Sequence, residues 1–212
     1  MNDTRERILK ASQELFFSYG IRSITMDDVA RHLAISKKTI YHFFSDKDQI
    51  VLTLCRLDCE FNAGMMDHIA RNSKDAIDEI LQAMEFMSAL FKRMNPNLIY
   101  DMQKYHHIAW NEFKKFREQN MMGTVERNLR KGIKQGLYRT DINTKLLARL
   151  RIEEVEMGMN PNIFPPGEYD LRKVQVELLS HFIYGILTEK GIKELANYKA
   201  SKKNKKSKAQ AA

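Results

Sequence analysis

Long apolar runs, catalytic signatures and helix breakers are all scarce in this 212-residue chain. No apolar stretch reaches the ~18 residues that a membrane-spanning helix needs, so no span is expected. No glycine-rich phosphate loop, HExxH or GxSxG occurs, which removes the common sequence signals of an enzyme. The acids Glu153, Glu154 and Glu156 read as a solvated helix face. Only two cysteines, Cys55 and Cys59, are present. Four apart on one helix face, they would strain the helix if bridged. They are read as two small buried residues in a reducing compartment, with no metal or cofactor assigned. With four prolines, nine glycines and no convincing alternating strand pattern, the expected class is all-α. The N-terminus, MNDTRERILK, is charged and lacks an apolar signal core, so a cytoplasmic protein is expected.

Charge is present but unevenly placed. The formal net charge is +8. Six lysines, Lys199, Lys202, Lys203, Lys205, Lys206 and Lys208, lie together in the C-terminal tail, and setting those six aside leaves +2. The first 48 residues hold eight Lys/Arg and seven Asp/Glu, a net of +1. Any specific recognition of an anionic partner therefore comes from where charges sit, not from their total. The tail at 199–212 is low in complexity and is expected to be disordered. A solubilising terminus is the preferred reading. A basic arm adding salt-sensitive affinity for DNA is the other.

The most informative segment is TMDDVARHLAISKKTIYHFFSDK, Thr25 to Lys47. It reads as two short helices and a tight turn. Thr25 and Asp28 have capping-box spacing, and Val29, Ala30 and Leu33 share one face. Ala34-Ile35 makes the turn and Ser36 caps the second helix. Ile40 and Phe44 lie four apart and point inward, leaving Lys37, Lys38, Tyr41 and His42 mostly facing outward. That outward side offers donors to phosphate oxygens and base edges, with no carboxylate to repel them. Upstream, Ile8, Ala11, Leu15, Phe16 and Tyr19 mark an amphipathic helix from about Arg5, stopped at Gly20. Three helices in 47 residues bury little surface alone, so the unit should lean on the helix that follows.

The run ILKASQELFFSYGIRSITMDDVARHLAISKKTIYHFFSDKDQI, Ile8 to Ile50, resembles the DNA-binding domain of the TetR family of bacterial transcriptional regulators. The likeness covers about a fifth of the chain, and many positions match in register. It implies that Lys37, Lys38, Thr39 and Tyr41 face DNA and that His42 and Phe43 lie beside its backbone. It also implies phosphate contacts from Thr25 and from Lys47. Phe43 departs from the family pattern, which more often has Tyr or His there. Phe cannot donate to a phosphate.

Downstream, apolar periodicity predicts a long helix from Asp48 to about Arg71, placed to act as a lever between an N-terminal unit and a larger helical domain. Further helices are expected from Asp75 to Arg93, in a short segment after Asn95-Pro96, on to Gln135 with Gly136 as stop, from Thr144 to Met159 and from Leu171 to Thr188. The expected organisation is a three-helix helix-turn-helix domain at 1–47, a helical effector-binding and dimerisation domain at 48–198, and the tail. The last two helices are the candidate dimer surface, centred on Val174, Leu178, Phe182 and Ile186, because their apolar face is wide. The resemblance implies a four-helix dimer interface there and an inducer pocket in the same domain. Candidate lining residues are Met65, Met66, Met84, Met87, Met102, Trp110 and Phe113, with Tyr105, His106 and His107 as polar anchors. Taken singly, each is also an ordinary core residue. The function these features imply is a ligand-responsive regulator, most simply a repressor, that binds a palindromic double-stranded operator as a homodimer. The alternative is an architectural DNA-binding protein without an effector.

Overall fold

The computed structural model describes the backbone of residues 2–210 and the side chains of residues 3–201. Its elements are helical throughout: α1 (Asn2–Tyr19), α2 (Met26–Leu33), α3 (Lys37–Phe43), α4 (Lys47–Asn72), α5 (Ala76–Arg93), α6 (Leu98–Tyr105), α7 (His107–Phe116), a π-helical turn (Arg117–Met121), α8 (Met122–Lys134), α9 (Thr144–Gly158), α10 (Leu171–Ile186) and α11 (Glu189–Gln210). Among the described residues no helix is long and apolar enough to cross a membrane.

Local chemistry sets these boundaries. Side-chain oxygens of Asp46, Asp75, Asn143 and Asp170 accept from backbone N–H groups at the starts of α4, α5, α9 and α10. Each satisfies donors that have no partner inside the helix. Gly20 ends α1 at φ +83°, and Gly136 follows α8 at φ +69°, both conformations that L side chains rarely adopt. The expected long helix to Gln135 exists but is interrupted by the π turn between α7 and α8.

The first core holds Ile8, Phe16, Val29, Ile40 and Phe44 from α1 to α3 and their cap, and Ile50, Val51 and Leu54 from α4. It continues without a break into Met102, Ala109 and Trp110 of α6 and α7. The N-terminal helices therefore do lean on α4, and on the next layer as well. Polar contacts reinforce that seam. Arg22 N–H donates to Asp101 Oδ2 at 2.9 Å, and Asn95 N–H donates to the Phe17 carbonyl at 2.7 Å. His106, 6% exposed, donates from Nδ1 to Asp48 Oδ1 at 2.5 Å. A Cβ on Gly20 would stand 3.1 Å from Asp101 Oδ2, so the turn after α1 sits tightly on α6.

The second core joins α5, α8, α9, α10 and α11 around Ile77, Leu129, Ala148, Phe182 and Leu195. Two expectations are corrected here. Val174, Phe182 and Ile186 are buried inside the chain and Leu178 is partly buried. Much of the wide apolar face of α10 is covered by the chain's own helices. The outward side of this layer carries Leu146, Leu150 and Met157 of α9 and Tyr184 of α10 instead. The segment at 199–212, expected to be disordered, continues α11 as far as Gln210, while residues 211–212 lie outside the described residues. Lys, Ala and Gln are good helix formers, no Gly or Pro interrupts this run, and Leu195 anchors the helix in the core.

Candidate nucleic-acid interface and cavity

The caps and the turn of the helix-turn-helix are built from local contacts. Thr25 caps α2 by accepting from Asp28 N–H at 3.2 Å, and the Asp28 carboxylate accepts in return from Thr25 N–H at 2.9 Å. The Thr25 hydroxyl, which donates to Asp28 Oδ2 at 2.6 Å, and the Thr25 N–H together hold the Asp28 carboxyl below its ordinary range. Ala34 adopts a left-handed conformation at φ 52°, and Ile35 N–H then closes onto the Ala30 carbonyl at 3.0 Å. A non-glycine residue held there costs about 1–2 kcal/mol, which the packed turn offsets. Ser36 Oγ accepts from Thr39 N–H at 3.1 Å and so starts α3. Ile40 and Phe44 are 0% and 1% exposed and fix the roll of α3 about its axis.

With the roll fixed, Lys37, Lys38, Tyr41 and His42 form one exposed edge, with Thr39 and Phe43 partly buried behind it. The Lys37 ammonium donates to Asp27 Oδ2 of α2 at 2.9 Å and lies 6.0 Å from the Tyr41 ring. The hydrogen bond to Asp27 raises the Lys37 pKa. The His42 and Phe43 rings meet edge to face at 5.1 Å. Thr25 is exposed at the start of α2.

Lys47 stands apart from this group. Its Nζ donates to the carbonyls of Ile21 and Ile24, both at 2.8 Å, so two of its three donors are engaged inward. Burial lowers its pKa. Lys47→Ala is expected to cost about 1–2 kcal/mol of stability, the loss of two charge-assisted hydrogen bonds to half-buried carbonyls, read as a lower urea midpoint. A side chain serving DNA phosphate alone would leave that midpoint unchanged.

Beneath the first core, helices including α1, α4, α5, α8 and α10 border a cavity of about 1230 Å³ that is partly open to solvent. Met66, Met84, Met87, Met102 and Phe113 line it, whereas Met65 and Trp110 do not. Trp110 stacks on Phe113 from behind, with centroids 5.6 Å apart. None of the expected polar anchors reaches the space: Tyr105 and His107 are exposed, and His106 is held by Asp48. Its polar lining includes Gln13, Asp58, Arg117 and Gln175. Spacing alone marked none of these four, because their proximity arises from helices far apart in the chain. Cys55 and Cys59 also line the cavity, and the Cys55 thiol donates to the Ala109 carbonyl at 3.5 Å.

A three-helix unit with one edge of Lys, Lys, Tyr and His, packed on a helical domain that contains a cavity, defines a helix-turn-helix DNA-binding regulator. Residues 8–54 match the model of bacterial regulatory proteins of the tetR family. Its N-terminal unit is thus that of a tetR-family regulator, and the protein is a transcription regulator. It is 24% identical to the HTH-type transcriptional repressor KstR2 of Mycobacterium tuberculosis, covering 91% of this chain and 96% of that protein. It is 26% identical to the HTH-type transcriptional regulator UidR of Escherichia coli K12, over 71% of this chain and 76% of that one. Among solved structures, a TetR-family regulator from Agrobacterium tumefaciens superposes with a TM-score of 0.73 at 13% identity, covering 88% and 99% of the two chains. That likeness is one of fold.

Proposed function

We propose that the protein is an effector-responsive repressor that binds a palindromic operator as a homodimer. The observation that carries this reading is the single exposed edge of α3, held in fixed roll by Ile40 and Phe44. Lys37, Lys38, Thr39 and Tyr41 enter the major groove, where Lys and Tyr donors reach base edges. Thr25, His42 and Phe43 lie beside the sugar-phosphate backbone. Lys37 exchanges Asp27 for a phosphate on binding. Lys47 secures the turn between α1 and α2, with its remaining donor toward the backbone.

One seven-residue helix reads too few bases to select a site, which favours a two-fold pair of chains. The dimer forms through the outer side of α9 and α10. Leu146, Leu150 and Met157 fall on one face of α9 and are 63%, 46% and 37% exposed, beside Tyr184 at 52%. Residues 1–47 then act as the DNA-binding domain, 48–198 as the effector and dimer domain, and 199–212 as a basic extension. An effector in the cavity shifts α4, and the Asp48–His106 and Arg22–Asp101 contacts carry that shift to the spacing of the two α3 helices. The effector changes DNA affinity only by its differential affinity for the two spacings.

Selection of bound duplexes from a random pool at physiological salt tests this reading. The expected result is a palindrome whose half-sites lie about 34–36 Å apart, or a multiple of that. No enrichment, with binding that vanishes once residues 199–212 are removed, would instead establish an architectural, non-specific DNA binder.

A further inference from the structure

The cavity contains a carboxylate without a counter-ion. Asp58, on α4, lines it, and the Asp58 carboxylate accepts from Gln13 Nε2 at 2.7 Å. Among the described residues no Lys, Arg or His forms an ion pair with Asp58. Several of the other charges bordering the space do have opposite partners. Glu79 pairs with Lys131, Arg117 with Glu156, Arg151 with Glu154 and Arg127 with Asp67. Glu6, Lys10, Glu14, Arg93 and Arg172 are exposed at its rim, and Arg172 Nε donates to Ser88 Oγ at 2.6 Å.

An acid facing apolar space beside one neutral amide is costly, and burial pushes its pKa up to about 6. A cation delivered to it recovers that cost, whereas an anion meets repulsion and finds no unpaired interior cation. Aromatic faces stand ready for such a charge. Phe61 is one helical turn from Asp58 on α4, lines the cavity, and packs against Phe86 of α5 at 6.2 Å. Phe113, Phe116 and Met84 extend the apolar wall. A space of about 1230 Å³ admits a body well beyond the cationic group itself.

We propose that the cavity is a site for an amphipathic organic cation, an ammonium or similar charge on a bulky apolar body, with that charge seated between Asp58 and Phe61. This rests on the reading of the cavity as the effector site and names the class of effector. Gln13 belongs to α1, so the charge that meets Asp58 also meets the contact tying α1 to α4. Occupancy is therefore felt directly by the DNA-binding helices.

Three arylated probes test it on the full chain by calorimetry: tetraphenylphosphonium, its anionic counterpart of nearly equal shape, tetraphenylborate, and the smaller neutral triphenylphosphine oxide. The expected result is that the cation binds at least about tenfold more tightly than the other two. Asp58→Asn should remove that preference and leave the neutral probe unchanged. Asp58→Glu should restore the preference, which separates charge from folding. Tighter or equal binding of the anion or the neutral probe, or a cation preference that survives Asp58→Asn, would overturn the cation assignment while leaving an apolar effector cavity. Binding of none of the three would overturn both.

Discussion

Replacing Tyr41 by alanine is expected to lower affinity for the selected operator about tenfold to a hundredfold, ~1–3 kcal/mol, and to relax preference at one position of each half-site. Tyr41 is 46% exposed on the outer edge of α3 and contributes nothing to the core beneath it. Folding should therefore be unchanged, and the melting curve of the variant should overlay that of the parent. Tyr41 carries no charge, so affinity for random duplex should barely move, because that affinity comes from phosphate neutralisation. Competition binding with operator and shuffled duplexes measures both quantities at once. An equal loss on the two duplexes would mean that Tyr41 contacts backbone and not bases. Ile40→Ala is the informative contrast. Ile40 is fully buried, so its truncation should cost about 2–4 kcal/mol of stability and abolish both kinds of binding through unfolding of the unit.

Asp58→Asn is expected to make the protein more stable at pH 8, not less. The Asp58 pKa stands at about 6 in the folded chain against an ordinary 3.8, principally because burial disfavours the charged form. A carboxyl whose pKa is raised by folding stabilises the fold only while it is protonated. Its contribution is fully present below about 3.8 and is lost as pH rises through about 6. Asparagine removes that loss and can still accept from Gln13. The shift of about two units bounds the gain near 3 kcal/mol, and access of water through the cavity reduces it to ~1–2 kcal/mol. For a chain of this size that is a rise of roughly 2–8 °C in melting temperature at pH 8, shrinking to nothing below pH 4. Thermal melts of both proteins across this range cancel the titrations they share. A variant less stable than the parent at pH 8 would mean that Asp58 is well paired. A stability cost kept in the lining of a cavity is the signature of a residue retained for binding.

The boundaries of the helix-turn-helix are readable from sequence because the contacts that cap and turn its helices are local. The Thr25–Asp28 capping box, the Ser36 cap and the Ile40–Phe44 pair all occur where their spacing puts them. Lys47 shows the limit of that approach. Nothing in its neighbourhood signals that its ammonium reaches the carbonyls of Ile21 and Ile24, 26 and 23 residues away. The same holds for Asp58 with Gln13, 45 residues away, and for His106 with Asp48, 58 residues away. These contacts are set by helix packing, which periodicity constrains only to a face.

The width of α10 misled for a related reason. A broad apolar face says that a helix is covered, and the covering came from α5, α8 and α9 of the same chain. The remaining exposed apolar residues of that layer, Leu146, Leu150 and Met157, are spread thinly over one face of α9 and do not stand out in sequence. In the C-terminal segment a dense run of lysines outweighed good helix propensity, so α11 was not anticipated.

The most direct test is the affinity of the full chain for its selected duplex and for a shuffled duplex of equal length, measured between 50 and 200 mM salt. Base readout by paired α3 helices predicts a preference of about 10³ or more at physiological salt, with both affinities falling as salt rises. Equal affinity for the two duplexes at every salt concentration would contradict sequence-specific regulation through α3.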